Sequence, residues 1–159
     1  MKQLSFPKLF AAIALCEFAG AVGAIFTAPS IPIWYATLEK PLLSPPNWIF
    51  APVWMVLYAL MGIALWLVME KDAPARAKKA AQRLFVFQLA LNISWSLIFF
   101  GLHAVSAAFI ELLSLWLAVL AVILAFHRIS KSAAWWLTPY ILWVSFALYL
   151  NLSIWLINF

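Results

Sequence analysis

The chain has 159 residues, of which 68% are hydrophobic and 9% charged, against soluble usage nearer half apolar and a quarter charged. With a mean hydropathy of +1.05, it reads as an integral membrane protein with nearly all its length in spanning segments and no soluble domain left over. The formal net charge of +5 is then a matter of topology and anionic lipid; nucleic acid is excluded as a partner, because the basic residues do not form a soluble reading surface.

Residues 9–28 (LFAAIALCEFAGAVGAIFTA) predict a first span after a short basic start, Lys2 and Lys8. The stretch is too long for the core of a signal peptide and carries Glu17 in its middle, so it reads as a mature helix. Ala19, Gly20, Gly23 and Ala24 form two overlapping small-xxx-small pairs, a face that serves either packing within the chain or a homodimer. A connection over 29–47 follows, holding Pro29, Pro32, Pro41, Pro45 and Pro46. Connections of that length are functional or disordered, and the Trp34-Tyr35 pair with so many prolines argues for order. Between Trp34 and Trp66 lie four of the ten tryptophans and four prolines, which suits a stiff cover facing a ligand.

The second span is expected over 48–69, with Pro52 in its first turn, where a missing N–H costs little. A basic surface loop (EKDAPARAKKAAQR) leads to spans at 84–101, 105–126 and 135–157. The third and fourth are joined by so short a turn that they should be antiparallel neighbours. Nine of the ten Lys and Arg residues fall on one side of such a five-helix bundle: Lys2, Lys8, Lys71, Arg76, Lys78, Lys79, Arg83, Arg128 and Lys131, with Lys40 alone opposite. The positive-inside rule therefore predicts a cytoplasmic N-terminus and an outside C-terminus.

The chemistry is marked first by what is missing. Cys16 is the one cysteine, and there is no phosphate-binding glycine loop, HExxH or nucleophile elbow. His103 and His127 flank the fourth span about 36 Å apart at 1.5 Å per residue, too far to share a metal. Each is either an axial haem ligand or an ordinary interfacial histidine. Two carboxylates, Glu17 and Glu111, lie at different depths in the bilayer; buried charge there is costly, so each is either a functional group or a protonated packing element. The positive signal is a set of faces at helical spacing: Trp54, Tyr58, Met61 and Leu65; Gln88, Asn92, Trp95 and Phe99; Tyr140, Trp143, Ala147 and Asn151. Amides in lipid should face the interior, so these faces converge on stacking area with sparse polar anchors, the needs of a flat, largely apolar ligand. Trp66, Trp135, Trp136 and Trp155, near helix ends, fit an interfacial belt instead.

The string W-Y-x-x-L-x-K-P-x-x-x-P-P-x-W-x-F-x-P-V-W-x-x-L-Y-x-x-M-G from Trp34 to Gly62 resembles the signature of the TspO/MBR family, the tryptophan-rich sensory proteins that include the translocator protein or peripheral benzodiazepine receptor. The likeness continues as L-N-x-x-W-S-x-x-F-F-G (Leu91 to Gly101), through Glu111, and as P-Y-x-x-W-x-x-F-A-x-x-L-N (Pro139 to Asn151), so it covers nearly the whole chain as a single domain. The resemblance implies a five-helix transmembrane bundle, often dimeric, whose pocket binds protoporphyrin IX, haem, and isoquinoline or benzodiazepine ligands, with no required cofactor. Carried over by position, the ligand-binding residues are Trp34, Tyr35, Trp48, Phe50, Trp54, Asn92, Trp95, Trp143 and Ala147. Some bacterial members are reported to promote light- and oxygen-dependent porphyrin breakdown; that role would fall to Trp54 and Trp143, with Trp34 and Tyr35 assisting. Animal members end the fifth span in a cholesterol-recognition pattern with a tyrosine and an arginine; here Leu152 and Leu156 stand there. Cholesterol transport is therefore not implied, and a bacterial inner membrane is expected over a mitochondrial outer one.

Three functions follow from that resemblance. The leading one is a tetrapyrrole-binding sensor or regulator, which needs only the aromatic pocket. The alternatives are a porphyrin-degrading enzyme, for which no acid-base set or nucleophile is visible, and a porphyrin transporter, for which no internal repeat is visible.

Overall fold

The computed structural model describes residues 5–159; Lys2, one of the cations used for orientation, lies outside the described residues. Among those residues the chain is all helical, with five helical segments long and apolar enough to cross a membrane. They are α1 (Phe6–Ile33), α2 (Asn47–Glu70), α3 (Ala75–Ser96) prolonged by a π turn (Leu97–Gly101), α4 (Val105–Ile129), and a fifth segment made of the short α5 (Lys131–Trp136) and α6 (Thr138–Asn158). At 24 to 28 residues each, they are about 36–42 Å long, more than the ~30 Å hydrocarbon core. Around the bundle α1 packs against α2 and α3, α3 against α4, α4 against α5 and α6, and α2 against α5. The adjacency of α3 and α4 follows from their short connection, as expected.

Helix ends depart from the sequence reading in four places. α3 begins at Ala75, so most of the basic 70–83 stretch is the first turns of a helix. α1 runs on through Pro29 and Pro32 to Ile33, because proline φ is helical and each ring removes only one bond to the residue four back. The Trp34 N–H still closes the helix on the Ser30 carbonyl at 3.0 Å. The connection is thus shorter, 34–46, with a single 3-10 turn at Tyr35–Thr37. α2 starts at Asn47, so Pro52 is its sixth residue and leaves the carbonyl of Trp48 without an intrahelical donor. The last span starts before Trp135: Ser130 caps α5, accepting from the Ala133 N–H at 3.4 Å, and the chain turns at Leu137 before Pro139 opens α6.

One half of the bundle is solid. Met61, Val68, Phe85, Leu115, Val119, Val122 and Phe126 are all but inaccessible, and the Phe85 and Phe126 rings stack with centroids 5.7 Å apart. A Cβ built on Gly62 would lie 2.5 Å from Ile13 Cα, so here the backbones of α1 and α2 touch. At this same end Lys8 pairs with Glu70 at 3.1 Å, the Trp66 indole N–H donates to the Ser5 carbonyl at 3.1 Å, and the Lys78 ammonium caps α2 by donating to the carbonyls of Met69 and Lys71 at 3.1 and 3.0 Å. Trp66 is therefore buried against α1, not turned outward in an interfacial belt; Trp135, 72% exposed, does face outward.

Candidate functional site: an aromatic cavity under a clasped loop

Beyond the Gly62 contact the helices part. A cavity of about 440 Å³ lies among α1, α2, α3 and α6 beneath the 34–46 segment, within the size range of small-molecule sites. Its wall is aromatic: Tyr35, Phe50, Trp54, Trp95, Phe99, Phe100 and Trp143 all line it. Trp95 stacks on Phe99 at 5.2 Å, Phe50 meets Trp143 edge-on at 5.9 Å, and Trp54 tilts against Tyr58 at 5.5 Å. The space itself comes from small residues. Gly20, Gly23, Ala24, Ala28 and Ala51 also line the cavity. Ala24, Ala28, Ala51 and Met55 are exposed as well, so the gap between α1 and α2 opens sideways.

Polar groups in and behind this wall hold it in place. Tyr58 donates to Asn92 Oδ1, Asn92 Nδ2 donates to Tyr140 Oη at 3.1 Å, and the Tyr140 hydroxyl donates to Gln88 Oε1 at 2.9 Å. A second branch orients the deepest indole: Trp95 Nε1 donates to Asn151 Oδ1 at 3.2 Å, while Asn151 Nδ2 donates to the Val105 carbonyl at 2.9 Å. Gln88, Asn92 and Asn151 are all buried, as inward-facing amides should be. Each hydrogen bond fixes a rotamer that stacking alone would leave free.

The cover is fastened at both ends. Trp34 stacks on His103 with centroids 4.1 Å apart, and His103, held at φ 54° in the turn after α3, places Nε2 3.4 Å from Ser30 Oγ. Further along, the Glu39 N–H donates to Asn158 Oδ1 at 2.8 Å and Asn158 Nδ2 donates to the Glu39 carbonyl at 2.9 Å. Lys40 Nζ sits 4.7 Å from the centre of the Tyr35 ring. Burial raises the pKa of the Tyr35 phenol above its ordinary value, so it stays neutral at physiological pH.

Of the nine ligand-binding residues expected, seven line the cavity: Tyr35, Phe50, Trp54, Asn92, Trp95, Trp143 and Ala147. Two do not. Trp34 is turned away by its stack on His103, and Trp48, in the first turn of α2, is 73% exposed. Phe100 escaped the helical-spacing argument because the π turn, closed by the Leu102 N–H on the Leu97 carbonyl at 2.8 Å, advances the register and swings it inward. Met61 and Leu65, on the same expected face as Trp54, belong to the solid core. The small-residue face of α1 is occupied within the chain: Ala19 and Gly23 are buried, and a side chain on Gly20 would strike the Tyr58 ring. Only Ala24 of that set is exposed. Glu17 lines the cavity, whereas Glu111 accepts from Ser94 Oγ at 2.9 Å away from it. Among the described residues no group of three His, Cys, Asp or Glu side chains could hold a metal ion.

A family model for the TspO/MBR family matches residues 12–156. The chain belongs to the TspO/MBR family. Its relatives include the tryptophan-rich protein TspO of Chlorobaculum tepidum, 40% identical over 146 residues that cover 92% of each chain. The human translocator protein is 40% identical over 124 residues, 77% of this chain and 73% of its own. The tryptophan-rich sensory protein of Cereibacter sphaeroides is 31% identical over 139 residues, 87% and 84% of the two chains. Membership accounts for the five-span architecture and for the membrane setting of this TspO/MBR protein.

Proposed function

We propose that this TspO/MBR protein binds a tetrapyrrole, protoporphyrin IX or haem, in the cavity under the 34–46 cover, and acts as a sensor or regulator of porphyrin metabolism or stress. The observation that carries the reading is the cavity wall: eight aromatic side chains around about 440 Å³, with the amides of Asn92 and Asn151 engaged in hydrogen bonds within the protein. Such a surface favours a flat conjugated ring by stacking and by removal of apolar area from water. The sensory and translocator names of its relatives are consistent with ligand recognition in a membrane, and isoquinoline or benzodiazepine ligands would suit the same wall. The expected setting is a bacterial inner membrane with the lysine-rich end inside. Two copies associating through α1 would have to use its exposed Phe10, Phe18 and Ile25 in place of the small residues now packed within the chain.

The position of Trp54 and Trp143 on the wall favours one second reading, light- and oxygen-dependent porphyrin breakdown, since a photosensitising ring would lie against two oxidisable indoles. One experiment serves both. Detergent-purified protein is titrated with protoporphyrin IX in the dark, following tryptophan quenching, and the complex is then illuminated in air. Saturable binding supports the tetrapyrrole reading, and its absence overturns it. Loss of porphyrin absorbance that is slower in a Trp54→Phe/Trp143→Phe double variant supports the enzyme. A stable complex leaves a sensor or carrier.

A further inference from the structure

The end of the cavity away from the 34–46 cover carries a carboxyl group, Glu17, that has no hydrogen-bond or ion-pair partner among the described residues. On α1, Glu17 lies one turn beyond Ile13, whose backbone meets Gly62, and one turn before Gly20, which faces the Tyr58 ring; it stands where the two backbones begin to part. Glu17 lines the cavity and enters none of the hydrogen bonds or ion pairs among the described residues. Its neighbours cannot serve it. The Tyr58 proton is engaged by Asn92, and both ends of the amides of Asn92 and Asn151 are taken within the protein. Among the described residues no Lys, Arg or His lines the cavity. The mouth is different. Asn47 and Tyr35 line it, and the Lys40 ammonium lies over the Tyr35 ring.

We propose that Glu17 gives the site a polarity: its closed end selects a cationic or hydrogen-bond-donating group on an aromatic ligand, while carboxylates are held at the mouth beside Lys40. The physical reason is desolvation. A carboxyl group in an apolar, water-poor site is stabilised by whatever brings it a proton donor or a positive charge, and an incoming carboxylate would add a like charge where nothing compensates it. Glu17 is the one acidic side chain that lines the cavity, so a ligand can supply the partner it lacks among the described residues. The inference rests on the tetrapyrrole reading above and adds orientation and charge preference to it.

The test uses three forms of one ring, so that stacking is constant: mesoporphyrin IX as the diacid, as the neutral dimethyl ester, and as the bis-ammonium amide made with ethylenediamine. Affinities are measured by tryptophan quenching in a nonionic detergent at pH 8. The wild-type protein is expected to bind the bis-ammonium form at least roughly tenfold more tightly than the ester, a modest return for one partly desolvated charge pair. Glu17→Gln should erase that preference and leave the diacid as tight or tighter, and Lys40→Gln should weaken the diacid alone. Glu17→Asp, which keeps the charge, should keep the preference. Equal wild-type affinity for ester and bis-ammonium forms, or a Glu17→Gln effect equal on all three, would overturn the proposal while leaving tetrapyrrole binding intact. Failure of all three forms to bind would overturn the tetrapyrrole reading and this inference with it.

Discussion

Around Gly62 the backbones of α1 and α2 touch, whereas around Gly20 and Ala24, two to three turns along the same helix pair, they part and leave a cavity. Both ends are apolar, and both use small residues on α1 or α2. The difference lies in what faces the small residue. Gly62 faces another backbone, so closeness becomes packing. Gly20, Gly23 and Ala24 face Tyr58, Ser96 and open space, where rings pinned by Asn92 and Asn151 cannot collapse inward. A cavity in a bundle thus depends on large side chains held back as much as on small ones admitted.

The comparison is broken most forcefully in the solid half. Phe85→Ala removes a fully buried ring stacked on Phe126 and should lower unfolding stability in detergent by about 3–5 kcal/mol, with porphyrin affinity of the remaining folded protein unchanged within about twofold; a large affinity loss would show that the halves are not separable. Next comes Tyr140→Phe, at the boundary. It deprives Gln88 and Asn92 of a partner, in a network where Gln88 Nε2 already lacks one. The expected cost is about 1–3 kcal/mol, together with weaker binding as Asn92 and Tyr58 lose their anchor. Unchanged thermal unfolding would mean that water replaces the phenol. Smallest in stability is Ala147→Leu, which fills the hollow half with side chain. Binding of a rigid ring should fall about tenfold through overpacking, and the melting temperature should hold or rise; undiminished affinity would remove Ala147 from the site.

The two halves were not equally legible in the sequence. Five apolar stretches and a nine-to-one segregation of cations define spans and grouping, because the membrane imposes length and hydropathy on each segment separately. The inward direction of Gln88, Asn92 and Asn151 was likewise readable, since an amide has few other places to go in lipid. Trp48 and Trp34 stand off the cavity wall in a way the sequence does not show: tryptophan type and spacing do not say which side of a helix end the ring takes, and His103 offers Trp34 a stacking partner. Phe100 depends on a π turn that breaks the 3.6-residue period used to find it. The small residues of α1 could equally have served packing within the chain or a second copy, and the choice is decided by residues on other helices: Tyr58 faces Gly20 and Ser96 faces Gly23.

The central claim, that a porphyrin occupies the hollow half among Trp54, Trp95 and Trp143, is tested most directly by the indole N–H resonances of ¹⁵N-tryptophan-labelled protein in the dark with and without protoporphyrin IX. The account predicts that those three resonances shift or broaden, while Trp66, bonded to Ser5 in the solid half, and Trp116, bonded to Ser145 at 2.8 Å on the outer surface, stay in place. Changes concentrated on Trp116 and Trp135, with Trp95 and Trp143 unmoved, would put the ring on the lipid-facing surface and contradict it.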